Sequence, residues 1–152
     1  MKIKFFITFL IFAIALNYSC SSDDGNVLNN QSILAVVNTM NSGSWKITKY
    51  IDNGTNKTED FSGYNFTFTE NNILMVNKAT DEIMGSWLVT SNSANGNNSD
   101  SDLDFIISFS GPEVFLVLTE DWQIKSSNSY TLELIDNNGS NGTNNYLTFE
   151  RN

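Results

Sequence analysis

The sequence predicts an all-β domain: an eight-stranded antiparallel up-and-down barrel entered through a short N-terminal helix. Three observations carry that expectation. Apolar residues alternate with polar ones at period two through most of residues 45–151. The alternating runs are short and separated by Asn- and Gly-rich polar segments, as in closed barrels and sandwiches. No strand–helix–strand spacing occurs, which argues against a parallel sheet.

The first element is an address. Met1–Lys4 is basic, and Phe5–Leu16 is an unbroken apolar run. As a helix such a run spans about 18 Å, short of the roughly 30 Å of a hydrocarbon core, and it fits the apolar part of a secretory signal. The run ends at Asn17-Tyr18-Ser19-Cys20, with a small residue before the only Cys of the chain. This resembles a bacterial lipoprotein signal. In that family cleavage precedes the Cys, whose sulfur and amine are then lipidated. The resemblance implies a signal peptide over residues 1–19, a lipidated Cys20 that makes the membrane a partner, and a tether over 20–30. The Ser and acidic residues of Ser21–Gly25 resemble the export signal of surface lipoproteins in the Bacteroidota, which implies an outer-membrane protein facing the cell surface. Removing residues 1–19 takes away two Lys and no acid, so the net charge falls from −9 to −11.

Residues 31–152 form the expected barrel domain. Ile33, Val36, Val37 and Met40 make the stripe of a short amphipathic helix over 31–40, with Gly43 at its exit. Residues 26–30 are Asn-rich linker without pattern. Trp45, Ile47 and Ile51 then alternate with Lys46, Thr48 and Tyr50. Tyr64, Phe66 and Phe68 follow, and Asn71-Asn72 is a plausible tight turn into Ile73–Lys78 because Asn tolerates positive φ. Further stripes are Ile83–Gly85–Trp87–Val89, Leu103–Phe105–Ile107–Phe109, Trp122–Ile124, Tyr130–Leu132–Leu134 and Leu147–Phe149–Arg151. Residues 113–120 read as a short helix or loop packed by Val114, Phe115, Leu116 and Leu118.

Up-and-down order brings the first and last strands to one rim, so closure sets Trp45 beside Arg151, the only Arg. An inward Arg needs acceptors or an aromatic face. Gly43-Ser44-Trp45 resembles the Gly-x-Trp signature of the lipocalins and related calycin barrels, in which a basic residue near the end of the last strand lies across the Trp. Phe61–Phe66, Gly85-Ser86-Trp87, Glu120-Asp121-Trp122 and Leu147–Arg151 are also similar to small lipocalin-like lipoproteins of flavobacteria. The resemblance implies a lipocalin-like barrel with Gly43, Trp45 and Arg151 as its structural signature. The long connections 52–62, 111–121 and 136–145 share one rim and the helix sits at the other, which describes a cup.

Composition excludes several chemistries. Without His there is no Ser-His-Asp triad and no imidazole metal site. A single Cys forms no internal disulfide framework. A net charge of −9 argues against nucleic acid as a partner. The acidic stretches Asp100–Asp104 and Asp136–Ser140 do not satisfy a calcium loop, and no cofactor or metal is expected. Paired carboxylates that would hydrolyse glycosides are not singled out by any spacing, so no enzyme is expected. The candidate ligand lining is Phe66, Phe68, Trp87, Phe105, Phe109, Trp122, Tyr130 and Leu132. These residues line a pocket for a small apolar molecule, or they fill a structural barrel whose loops contact a glycan or protein; eight strands enclose room for either.

Overall fold

The computed structural model describes residues 24–91, 103–137, 139 and 142–152, with residues 24–30 described by backbone alone. Cys20, the signal segment and the loop over 92–102 lie outside these residues. The order of elements is α1 (Asp24–Asn41), β1 (Ser44–Asp52), β2 (Thr55–Asn56), a 3-10 turn η1 (Thr58–Phe61), β3 (Asn65–Phe68), β4 (Ile73–Lys78) and β5 (Asp81–Ser91). Then follow β6 (Leu103–Ser108), α2 (Glu113–Leu116), β7 (Glu120–Ser127), β8 (Thr131–Asp136) and β9 (Asn145–Arg151).

The sheet runs β2-β1-β3-β4-β5-β6-β7-β8-β9, and β9 pairs back onto β1. Every pairing is antiparallel, and with β2 a two-residue addition the wall is a closed barrel of the eight expected strands. Closure joins Trp45 to Arg151, Ile47 to Phe149 and Tyr50 to Leu147. Asn72 sits at φ +62° in the β3–β4 turn, as the Asn pair predicts.

Three expectations are corrected. The helix begins at Asp24, so residues 26–30 are helical rather than linker. Once the stripe of residues 33–40 has nucleated a helix on the barrel, each added residue gains a backbone bond at little further cost. Second, Tyr50 is buried and Ile51 only half-buried, the reverse of the sequence phase. The register of β1 on β9 shifts between Ile47 and Lys49, and a bulge of this kind moves later side chains to the other face. The inward phase had already failed at Lys49, where a charge fell on the core side.

Third, the barrel is no cup. At one end Val36 and Met40 of α1 are buried, with Ile33 and Val37 packed beside them. At the other end η1 and α2 push Phe61 and Phe115 inward, and Leu118 joins them. Phe115 meets Phe61, Tyr64, Phe66 and Phe109 at ring separations of 5.9, 5.1, 6.3 and 5.2 Å. The connections over 52–62 and 111–121 fold inward because they carry large apolar side chains, Phe61, Phe115 and Leu118, whose burial is worth roughly 1.5–3 kcal/mol each.

Candidate functional site

Seven of the eight candidate lining residues lie inside the barrel: Phe66, Phe68, Trp87, Phe105, Phe109, Trp122 and Leu132. Alternation along β3, β5, β6, β7 and β8 turns six of them inward, and Phe109 follows just past the end of β6. They pack on one another rather than around a space. Phe68 contacts Trp87, Phe105 and Phe149 edge-on at 5.2, 5.6 and 5.4 Å, and Trp87 lies 5.6 Å from Phe105. Their accessible area is near zero, and a side chain without accessible area has no water-sized void against it.

Each tryptophan has also committed its indole N–H. Trp45 donates to the Met40 carbonyl at 3.0 Å, Trp87 to the Thr69 carbonyl at 3.1 Å and Trp122 to the Leu118 carbonyl at 3.1 Å. The Trp45 and Trp122 indoles thereby tie the end covers to the wall, and the Trp87 indole ties β5 to the β3–β4 turn.

Tyr130 is corrected. It is 70% exposed and lies outside the interior. It shares the phase of Leu132 and Leu134 but precedes β8, in a turn where the Asn128 side-chain oxygen accepts from the Tyr130 and Thr131 N–H groups at 2.9 and 3.0 Å. Alternation holds only while the chain stays in the ladder.

The signature residues come together as the resemblance implies. The Arg151 guanidinium lies 5.1 Å from the centre of the Trp45 ring and 6.0 Å from that of Tyr130. Its Nη2 donates to the Thr39 carbonyl at 3.0 Å and to the Ser42 hydroxyl. Gly43 does not take the positive φ of a helix exit, and a Cβ there would stand in ordinary contact, 3.4 Å, with Arg151 Nε. Arg151 therefore clasps α1 to the last strand, and this is a structural device.

Open space lies outside the barrel interior. One cleft of about 250 Å³ runs between α1 and the β6–β7 rim, floored by Val36, Leu103 and Ile124 and edged by Ser32, Thr39 and Asn128. A second, also about 250 Å³, sits at the far end beside Tyr50, Glu120, Thr119 and Asp136. The Tyr50 hydroxyl donates to the Val117 carbonyl at 3.0 Å. Burial, then Asp52, Asp60 and Glu120, hold its proton well above the ordinary tyrosine range. Burial raises Glu120 as well, helped by Asp136 and Asp121, and burial with Asp121 raises Asp104. Among the described residues no three His, Cys, Asp or Glu side chains come together to hold a metal, and no helix is long and apolar enough to cross a membrane.

These features define a closed antiparallel barrel with a solid aromatic interior and covers at both ends. Among known proteins, a solved structure similar to this chain is a DUF4847 family protein from Bacteroides vulgatus ATCC 8482. It is 15% identical, with a TM-score of 0.46, over 74% of this chain and 94% of that chain. No protein-family model matches the chain, and no curated protein matches it.

Proposed function

We propose that this chain is a lipid-anchored, non-catalytic surface module. In this reading its filled lipocalin-like barrel is a scaffold for a macromolecular partner and not a container for a small apolar ligand. One observation carries the preference: the residues that would line a ligand pocket have spent their surface on one another. A barrel carrier needs an interior cavity of about 300 Å³ or more, whereas the two clefts beside the end covers are about 250 Å³ each and lie outside the interior.

The anchor reading rests on Cys20 behind its apolar run. An anchor there leads through α1 into the barrel end that Arg151 clasps, and the end carrying α2 then faces away from the outer membrane. Attachment through several acyl chains on one Cys is effectively permanent, because each buried methylene contributes about 0.8 kcal/mol. The acidic body is repelled by an anionic lipid surface, which leaves its wall free for a partner.

The test uses the full chain in cells supplied with labelled palmitate, followed by native mass measurement of the purified protein. The reading expects label that disappears in Cys20→Ser and a mass without bound organic molecules. A stoichiometric apolar molecule would return the interior-ligand reading, and label persisting in Cys20→Ser would remove the anchor.

A further inference from the structure

The wall contains a place where a strand runs on without a neighbour among the described residues. β5 pairs with β4 from Asp81 to Ser86, but with β6 only from Ser86 to Ser91. The direction of its peptide groups follows from one hydrogen bond: the Trp87 N–H donates to the Asn72 carbonyl at 3.0 Å, toward β4. In an antiparallel ladder successive residues turn their peptide groups to opposite sides. Odd-numbered residues of β5 therefore bond to β4 and even-numbered ones face β6. Ser86, Leu88 and Thr90 meet Ser108, Ile106 and Asp104. Glu82 and Met84 face the same side and meet no described strand.

The cause lies in Gly85. A Cβ on Gly85 would stand 2.7 Å from the Ser108 carbonyl oxygen and 2.7 Å from the Phe109 ring. The chain leaves β6 by turning inward over this bare glycine, which carries Phe109 into the core and takes the neighbour away from Met84. Met84 is 57% exposed. A cleft of about 270 Å³, bounded by Met84, Gly85, Ser86, Ser108 and Ser110, lies where the missing strand would run.

At two other breaks in the wall a neighbouring group stands in for the missing strand. Where β3 stops pairing with β1 at Trp45, β2 takes over at Ile51 and Asp52. Between them the Thr58 hydroxyl accepts from the Tyr50 N–H, and the Lys57 N–H donates to the Tyr50 carbonyl, each at 2.9 Å. Where β6 parts from β7, the Thr119 hydroxyl accepts from the Phe109 N–H at 2.9 Å. Among the described residues the β5 edge has no stand-in of this kind.

We infer that the β5 edge at Glu82–Met84 is a strand-addition site for an extended, basic and apolar segment of a partner protein. An open row of N–H and C=O groups is satisfied by a strand, and side chains opposite supply selectivity. Asp81 and Glu82 call for a basic residue, and Met84 for an apolar one. A second copy fits poorly, since it would set the same carboxylates against each other between two bodies of net charge −9. The inference rests on the scaffold reading and is independent of the anchor.

The test measures amide hydrogen exchange on the full chain in detergent micelles, with an end-capped eight-residue peptide of repeating Lys-Lys-Val-Val, which sets Lys opposite Glu82 when Val is opposite Met84. In the free protein the Glu82 and Met84 amides exchange at least tenfold faster than those of Ile83 and Gly85. The peptide slows both by tenfold or more, a peptide with Glu in place of Lys does so far less, and one with a central Pro has no effect. Met84→Pro, which removes an open-edge N–H, abolishes the protection; Glu82→Lys reverses the preference between Lys and Glu peptides and covers a failure of the Pro variant to fold. Slow exchange without peptide, protection that grows with protein concentration alone, equal effects of the Lys and Glu peptides, or no protection at millimolar peptide each overturns the inference. None of these outcomes bears on palmitate labelling, so a failed anchor and a failed edge are told apart.

Discussion

The end of the barrel entered by α1 is covered by one long helix that Arg151 and the Trp45 indole hold through hydrogen bonds to Thr39, Ser42 and Met40. The far end is covered by two single turns that insert Phe61 and Phe115 among aromatic rings. The first cover is fastened at its margin by directional polar contacts, each worth about 0.5–3 kcal/mol. The second is part of the core itself, where truncating a large side chain costs about 3–5 kcal/mol. One barrel thus has a latched end and a stoppered end.

Four substitutions or conditions sharpen or break this distinction. The largest effect is expected from Phe115→Ala, which empties the centre of the stopper and lowers unfolding free energy by about 4 kcal/mol in denaturant titration. Arg151→Ala follows at about 2 kcal/mol, since it removes the contact over Trp45 and two donated hydrogen bonds; a loss equal to that of Phe115→Ala would end the distinction. Tyr50→Phe deletes the hydroxyl that ties the wall to Val117 and costs about 1 kcal/mol. It should also remove a tyrosine that resists ionisation in an alkaline absorbance titration.

The smallest effect is that of pH. Glu120 and Asp104 titrate above the ordinary carboxylate range in the folded state, so they weigh against the fold once ionised, and that weight lifts as pH falls through their folded values. Glu133 is held low by its hydrogen bond from Ser126, then by Lys125, and its contribution disappears only at pH below the ordinary range. Between about pH 7 and about pH 5 the first pair therefore dominates, and the melting temperature rises on acidification. Glu120→Gln should flatten that rise; an unchanged slope would place the cause elsewhere.

The architecture was legible because alternation survives in nearly every strand. Trp45, Phe66, Phe68, Phe105, Leu132 and Phe149 all reach the core their phase assigns. Arg151 over Trp45 followed from strand order alone. What stayed hidden depended on the ladder departing from regularity. The bulge after Ile47 brought Tyr50 inward, and the turn at Asn128 left Tyr130 outside. The filling of the barrel was not readable, because a stripe of aromatic residues is the same pattern whether the rings meet each other or a ligand. The open edge of β5 was equally invisible, since pairing on one side or both leaves no mark on side-chain alternation.

Closure has a consequence for the order of events during synthesis. Trp45 and Arg151 are direct partners across the seam between β1 and β9, at opposite ends of the described sheet in chain order. A nascent chain carrying β1 to β8 has an unsealed seam, an unfastened helix and no partner for the Trp45 face. Contacts this distant in sequence form late and slowly. The barrel therefore cannot close until β9 has been made. The barrel is locked when β9 joins β1.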